Sequence, residues 1–168
     1  MKEIPIGIQT FKELILGSYV YADKTQYVYE MARKGKAYFL SRPRRFGKSL
    51  LLSTFEALFS GPPDPDGPPQ GLFSDLWIGK HSDYDFSQKY PVISLSMSTG
   101  YSTPERLEAT ILKNLKKISD SERLGINPTI PGTDLAEIIE SLSEKYNKQA
   151  VVLIDEYDVP VSENLDNP

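Results

Sequence analysis

A short apolar run, Lys36 to Ser41 (KAYFLS), is joined to an amphipathic run, Leu50 to Phe59, by a turn that ends in Gly47-Lys48-Ser49. The first run reads as a short, mostly buried strand and the second as a helix, with Leu51, Phe55 and Leu58 on one face. A helix that starts just after glycine, lysine and serine presents unpaired N–H groups, and its dipole favours an anion there. Glycine lets the backbone approach that anion closely. This junction constrains the fold most, because it asks for a strand and a helix that meet at a ligand.

Gly47-Lys48-Ser49 is the second half of the Walker A pattern, in which the lysine reaches the β- and γ-phosphates and the serine hydroxyl ligates Mg²⁺. The pattern wants a glycine five residues before Gly47, and Arg42 stands there. Pro43 removes one further N–H from the loop. An ordinary strand–helix turn with an exposed basic cluster therefore stays open on this segment alone.

A second element supports the first. Val151-Val152-Leu153-Ile154 is a continuous apolar strand that ends in Asp155-Glu156, the Walker B arrangement. A parallel strand delivers its C-terminal residue to the sheet edge where α/β proteins bind ligands. Asp155 would hold Mg²⁺ through water opposite Ser49, and Glu156 would polarise the attacking water as general base. A strand ending in a solvated acidic turn is the plainer alternative. The order of the two elements, with Asp155 lying 107 positions after Lys48, favours their joint use.

The rest of the chain alternates in a compatible way. Asp23 with Gln26 resembles a capping box ahead of Tyr27, Val28, Met31 and Ala32, with Gly35 as a stop. Gly61 to Gly71, rich in proline and glycine, reads as a loop. Leu72 to Ile78 reads as a short helical turn anchored by Trp77. Pro91 to Met97 reads as a strand. Thr103-Pro104 starts a helix through Leu107, Ile111, Leu115 and Ile118. Leu135, Ile138, Ile139, Leu142 and Tyr146 mark another. The order helix, strand, helix, strand, helix, helix, strand predicts an α/β layered fold with a parallel sheet. Apolar strands of this kind fit a sheet covered on both faces.

Composition narrows the chemistry. The 168 residues are 39% hydrophobic, which suits about one globular domain rather than a disordered chain. There are no cysteines and one histidine, His81, which excludes disulfides, thiolate metal sites and multi-histidine centres. No apolar run approaches the roughly 20 residues of a membrane span. The N-terminus has no signal pattern, so a reducing, cytoplasmic setting is the expectation. Between Arg33 and Lys48 lie seven basic residues and no acid. With an overall net charge of -4, the rest of the chain carries −11. A compact basic segment in an acidic chain suggests a local anionic ligand, and a solvated basic loop is its alternative.

The residues Ser41 to Gly61 (SRPRRFGKSLLLSTFEALFSG), Tyr21-Ala22-Asp23-Lys24-Thr25 and Val151 to Val161 (VVLIDEYDVPV) resemble the AAA-ATPase-like family of prokaryotic proteins. So do Leu72 to Ile78 and Tyr90 to Ser98. The resemblance runs from about Ile4 to Val161, and its RPRRFGKS form accounts for Arg42. It implies an ATP-binding, P-loop NTPase-like α/β fold, a parallel sheet flanked by helices. The cofactors it implies are ATP and Mg²⁺. The loop residues Arg44, Arg45, Phe46, Gly47, Lys48, Ser49 and Leu50 are the nucleotide-binding candidates. The resemblance makes Ser49 and Asp155 the expected metal ligands, and Glu156 and Lys48 the expected catalytic residues. Family members commonly continue into a nuclease-like domain, which would make self-association or contact with that domain a partner expectation.

Glu156 directly after Asp155 resembles the additional-strand class of P-loop ATPases, whose extra strand lies later in the chain. No further strand reads from Asp155 to Pro168. The expectation is thus an N-terminal helical segment (1–35) and a core (36–168) incomplete at its C-terminus, with Walker A at 42–49 and Walker B at 151–156. Hydrolysis is expected in a longer protein and little or none in this piece. The alternative function is a non-hydrolysing interaction module whose basic loop binds DNA or a protein partner.

Overall fold

The computed structural model describes residues 3–34, 37–41, 43, 45–61, 70–97 and 103–159. The chain divides after Lys89 into two compact units. The first holds α1 (Phe11–Leu16), α2 (Thr25–Lys34), α3 (Lys48–Phe59), a 3₁₀ turn (Gly71–Phe73) and α4 (Trp77–His81). The second holds β1 (Val92–Ser96), α5 (Pro104–Glu122), α6 (Pro131–Tyr146) and β2 (Val151–Asp155).

In the first unit α1 is only six residues long, so it cannot stand alone. Tertiary contacts hold it. Phe11 and Leu14 sit on one side of it and are buried. The Phe11 ring stacks on Phe73 at 4.8 Å and meets Tyr21 edge-on at 5.5 Å. The Phe11 N–H donates to Ser53 Oγ of α3 at 2.9 Å, which ties α1 to the helix that carries the Gly-Lys-Ser junction. Thr54, Phe55 and Leu58 form the buried face of α3. The turn around residues 72–78 is anchored by Phe73 and Ile78, which are buried, rather than by the half-buried Trp77. Gly79 packs directly on that turn. A Cβ there would lie 2.2 Å from the Phe73 carbonyl oxygen.

Asp23 does more than begin a helix. Its Oδ1 accepts from the Thr25 N–H at 2.9 Å and the Thr25 hydroxyl at 2.7 Å, in place of the expected Gln26 partner. Its Oδ2 accepts from the Trp77 N–H at 2.6 Å, and Thr25 Oγ1 accepts from the Ile78 N–H at 3.1 Å. Asp23 and Thr25 thereby supply acceptors for the first N–H groups of α4, which that helix cannot pair internally.

The second unit is a two-stranded parallel sheet with a helical crossover. Val92 pairs with Val151 and Ser96 with Asp155 in register. Thr103 caps α5, its hydroxyl accepting from the Arg106 N–H at 3.4 Å, and Pro104 follows in the first turn, as its sequence predicts. Ser119 Oγ bonds both the N–H and the C=O of Ile126, which fixes the α5–α6 link. Asp134 accepts from the Thr129 and Ile130 N–H groups ahead of α6. Ile93 and Leu95 of β1 pack with Leu115, Ile138 and Leu142 into one core.

Two expectations change. Ala37–Ser41 belong to no strand, and Tyr38 and Phe39 are exposed rather than buried. An apolar run becomes a strand only by joining a ladder through its N–H and C=O groups, and the sheet among the described residues consists of β1 and β2. Among the described residues the sheet is also covered on one face only. Burial alternates along β1 and β2, with Ser94, Ser96, Val152 and Ile154 exposed opposite the helical face. Residues 62–69 of the loop predicted over Gly61 to Gly71, and the tail from Pro160, lie outside the described residues.

Candidate nucleotide-binding site

The Gly-Lys-Ser loop lies in the first unit. Arg45 has φ 67° and Gly47 φ 75°, both left-handed, while Phe46 between them and Lys48 after them do not. Such alternation turns successive N–H groups toward one concavity that can hold an anion. Gly47 serves as N-cap of α3 with no side-chain cap, and the first intrahelical bond is Leu51 N–H to Gly47 C=O at 3.0 Å. The Lys48, Ser49 and Leu50 N–H groups are therefore left without helical acceptors. A Cβ at Gly47 would meet nothing within 4 Å, so the loop faces open space. Lys48 and Ser49 are half-buried at the root of the helix, and Phe46 is exposed. Arg44 lies outside the described residues, as does Arg42.

The acidic pair, Asp155 and Glu156, lies in the second unit. Asp155 ends β2, half-buried, and its C=O accepts from the Met97 N–H at 2.9 Å. Its Oδ1 accepts from the Glu156 N–H at 2.9 Å. Glu156 has φ 52°, a left-handed conformation that costs a non-glycine residue about 1–2 kcal/mol. A bond from the Val159 N–H to the Glu156 C=O at 3.1 Å closes the turn behind it.

The donor set fits a triphosphate with Mg²⁺. Free N–H groups, a lysine and a hydroxyl suit phosphate oxygens, and Mg²⁺ on phosphates needs only one or two protein oxygens. Among the described residues no group of three His, Asp or Glu side chains could hold a metal ion by itself. No described helix is long and apolar enough to cross a membrane.

Sequence reading missed the contacts that hold the loop helix in place. Ser53 and Asp23 each join elements more than 40 positions apart, and no local spacing encodes such pairs. The Tyr21 to Thr25 and Leu72 to Ile78 segments were visible as separate matches. Their link, the Asp23–Trp77 bond, was not.

The fold is thus α/β, with a helix opened by the Gly47-Lys48-Ser49 turn and a parallel strand that ends at Asp155, with Glu156 next. A family model described as Predicted AAA-ATPase matches residues 5–168, and the chain belongs to this AAA-ATPase-like family. It is 36% identical over 169 residues to an uncharacterized protein in the vnfD 5' region of Azotobacter chroococcum mcd 1. That alignment covers 99% of this chain and 31% of the relative, so the chain spans about a third of that protein's length. No solved structure matches.

Proposed function

We propose that this chain is the ATP-binding part of a P-loop ATPase, using Arg44 to Leu50 for the triphosphate. The observation that carries the reading is the alternating backbone from Arg45 to Lys48, which opens α3 onto free N–H groups. Membership of the AAA-ATPase-like family supports it.

In this reading the N–H groups of the loop bind phosphate oxygens and the Lys48 ammonium neutralises the β- and γ-phosphates. Ser49 is the Mg²⁺ ligand proposed for the loop and Asp155 the one proposed for the strand end, and Mg²⁺ when bound would neutralise phosphate charge. Glu156 orients the attacking water and takes its proton. Its carboxylate follows Asp155 directly, so one strand end positions both acids. Turnover belongs to the longer protein, because phosphoryl transfer depends on positioning more than on any one group.

The test is Mg-ATP affinity of the 168-residue chain against Lys48→Ala. A loss of at least roughly tenfold is expected for a charge-assisted phosphate contact. Equal affinities overturn the reading. In the longer protein, Glu156→Gln is expected to keep ATP binding and lose most hydrolysis, and an unchanged rate would remove Glu156 from its role.

A further inference from the structure

We propose that Ser53 is a positioning residue for the triphosphate. Its hydroxyl joins the start of α1 to a chain of hydrogen bonds that ends at the Lys48 N–H. The proposal rests on the ATP reading above and adds to it a residue that touches no phosphate. Every group it uses lies in the first unit.

α1 starts on an acceptor from another helix. Thr10, at its N-cap, makes no side-chain cap, and its hydroxyl donates to the Glu13 carboxylate at 3.3 Å instead. The Phe11 N–H is one of those a helix cannot pair internally. Ser53 Oγ of α3 accepts it at 2.9 Å. Ser53 has one proton to give, and it goes to the Leu50 C=O at 2.9 Å. A serine that only folded back on its own helix would use its donor alone. Ser53 uses donor and acceptor together, and each strengthens the other. The buried Thr54 donates its hydroxyl to the same Leu50 carbonyl at 2.8 Å.

The chain continues through the backbone. The Leu50 carbonyl and the Leu51 N–H belong to one conjugated peptide group. The Leu51 N–H donates to the Gly47 C=O at 3.0 Å. The Gly47 carbonyl in turn shares its peptide group with the Lys48 N–H, one of the three that α3 leaves for phosphate. Each bond in such a chain polarises the next, so the hydroxyls on Leu50 make the Lys48 N–H a better donor to an anion. Ser53 also follows Leu50 by three positions and Ser49 by four, which puts all three on one face of α3. α1 therefore starts one turn beyond the phosphate end of the helix. It is itself held there by buried Phe11, stacked on Phe73.

The experiment is calorimetric titration of Mg-ATP into the 168-residue chain and four variants, with urea unfolding of each. Ser53→Ala should weaken binding roughly fivefold, the scale of one net hydrogen bond. Ser53→Thr should bind like the parent, because the hydroxyl is kept and threonine also bonds back to its own helix. Ile78→Val shortens a buried side chain of the same unit away from the chain of bonds. It should lose stability and keep its Mg-ATP affinity, which a merely structural role for Ser53 would not distinguish. The Phe11 amide resonance of the parent should shift as Mg-ATP saturates, a readout that needs no variant to fold. The proposal is overturned if Ser53→Ala binds like the parent, if Ser53→Thr does not restore affinity, if Ile78→Val weakens binding as much, or if the Phe11 amide stays in place. Two outcomes overturn the ATP reading and this one with it: a parent that binds no Mg-ATP, or Lys48→Ala that binds as well. Loss of affinity in Lys48→Ala with none in Ser53→Ala overturns this proposal alone.

Discussion

Asp23 carries two helix starts on one carboxylate. Burial raises its pKa, but the Thr25 hydroxyl and the Thr25 and Trp77 N–H groups outweigh it and hold the carboxyl below its ordinary value. A group whose folded pKa is depressed stabilises the fold above its unfolded pKa of about 3.9. That contribution is lost as pH falls through the lower folded value. The urea midpoint of the parent should therefore drop more steeply on acidification below about pH 4 than that of Asp23→Asn. At neutral pH, Asp23→Ala should cost about 1–2 kcal/mol in the same assay, the scale of losing helix caps. Gly47 makes a different kind of demand. Its φ of 75° disfavours any side chain, although the space beside it is open. Gly47→Ala should lower stability by about 1 kcal/mol through backbone strain alone and weaken Mg-ATP binding, which denaturation and titration would separate.

Each element owes its place to a different partner. α5 and α6 are long and amphipathic, so their periodicity was readable in the sequence, and Leu115, Ile138 and Leu142 are buried where the spacing put them. Ile138→Ala should destabilise by about 2–5 kcal/mol, measured by urea unfolding, since it empties the core against β1. Thr103→Ala should cost about 1 kcal/mol as the loss of one cap. The short elements follow another logic. α1 and α4 have six and five residues, and their stability comes from contacts with α3, the 3₁₀ turn and Asp23. Gly79→Ala is expected to disturb α4 more than a surface change would, because the new methyl meets a backbone carbonyl that cannot swing aside.

The whole chain places the loop in one compact unit and the acidic pair in another. Hydrogen exchange with and without Mg-ATP would read the response of each. Protection is expected at the α3 N-terminus and at the β2 C-terminus together. Protection at α3 alone would leave Asp155 and Glu156 outside the site. Mg-ATP at about a hundred times its dissociation constant should also stabilise the parent by roughly 2.7 kcal/mol, and Lys48→Ala by much less.

The sequence by itself determined the long helices, both strands of the sheet, the glycine at the loop and the order of the two motifs, because each is written in spacing over a few residues. Family membership was legible in the same way, in runs such as Arg42 to Ser49 and Val151 to Glu156. Only the tertiary structure decided the fate of Ala37–Ser41, since an apolar run is a strand only when another strand pairs with it. It alone decided which face of the sheet the helices cover. It alone joined Asp23 to Trp77 and Ser53 to Phe11, contacts made in space between residues that no local pattern relates.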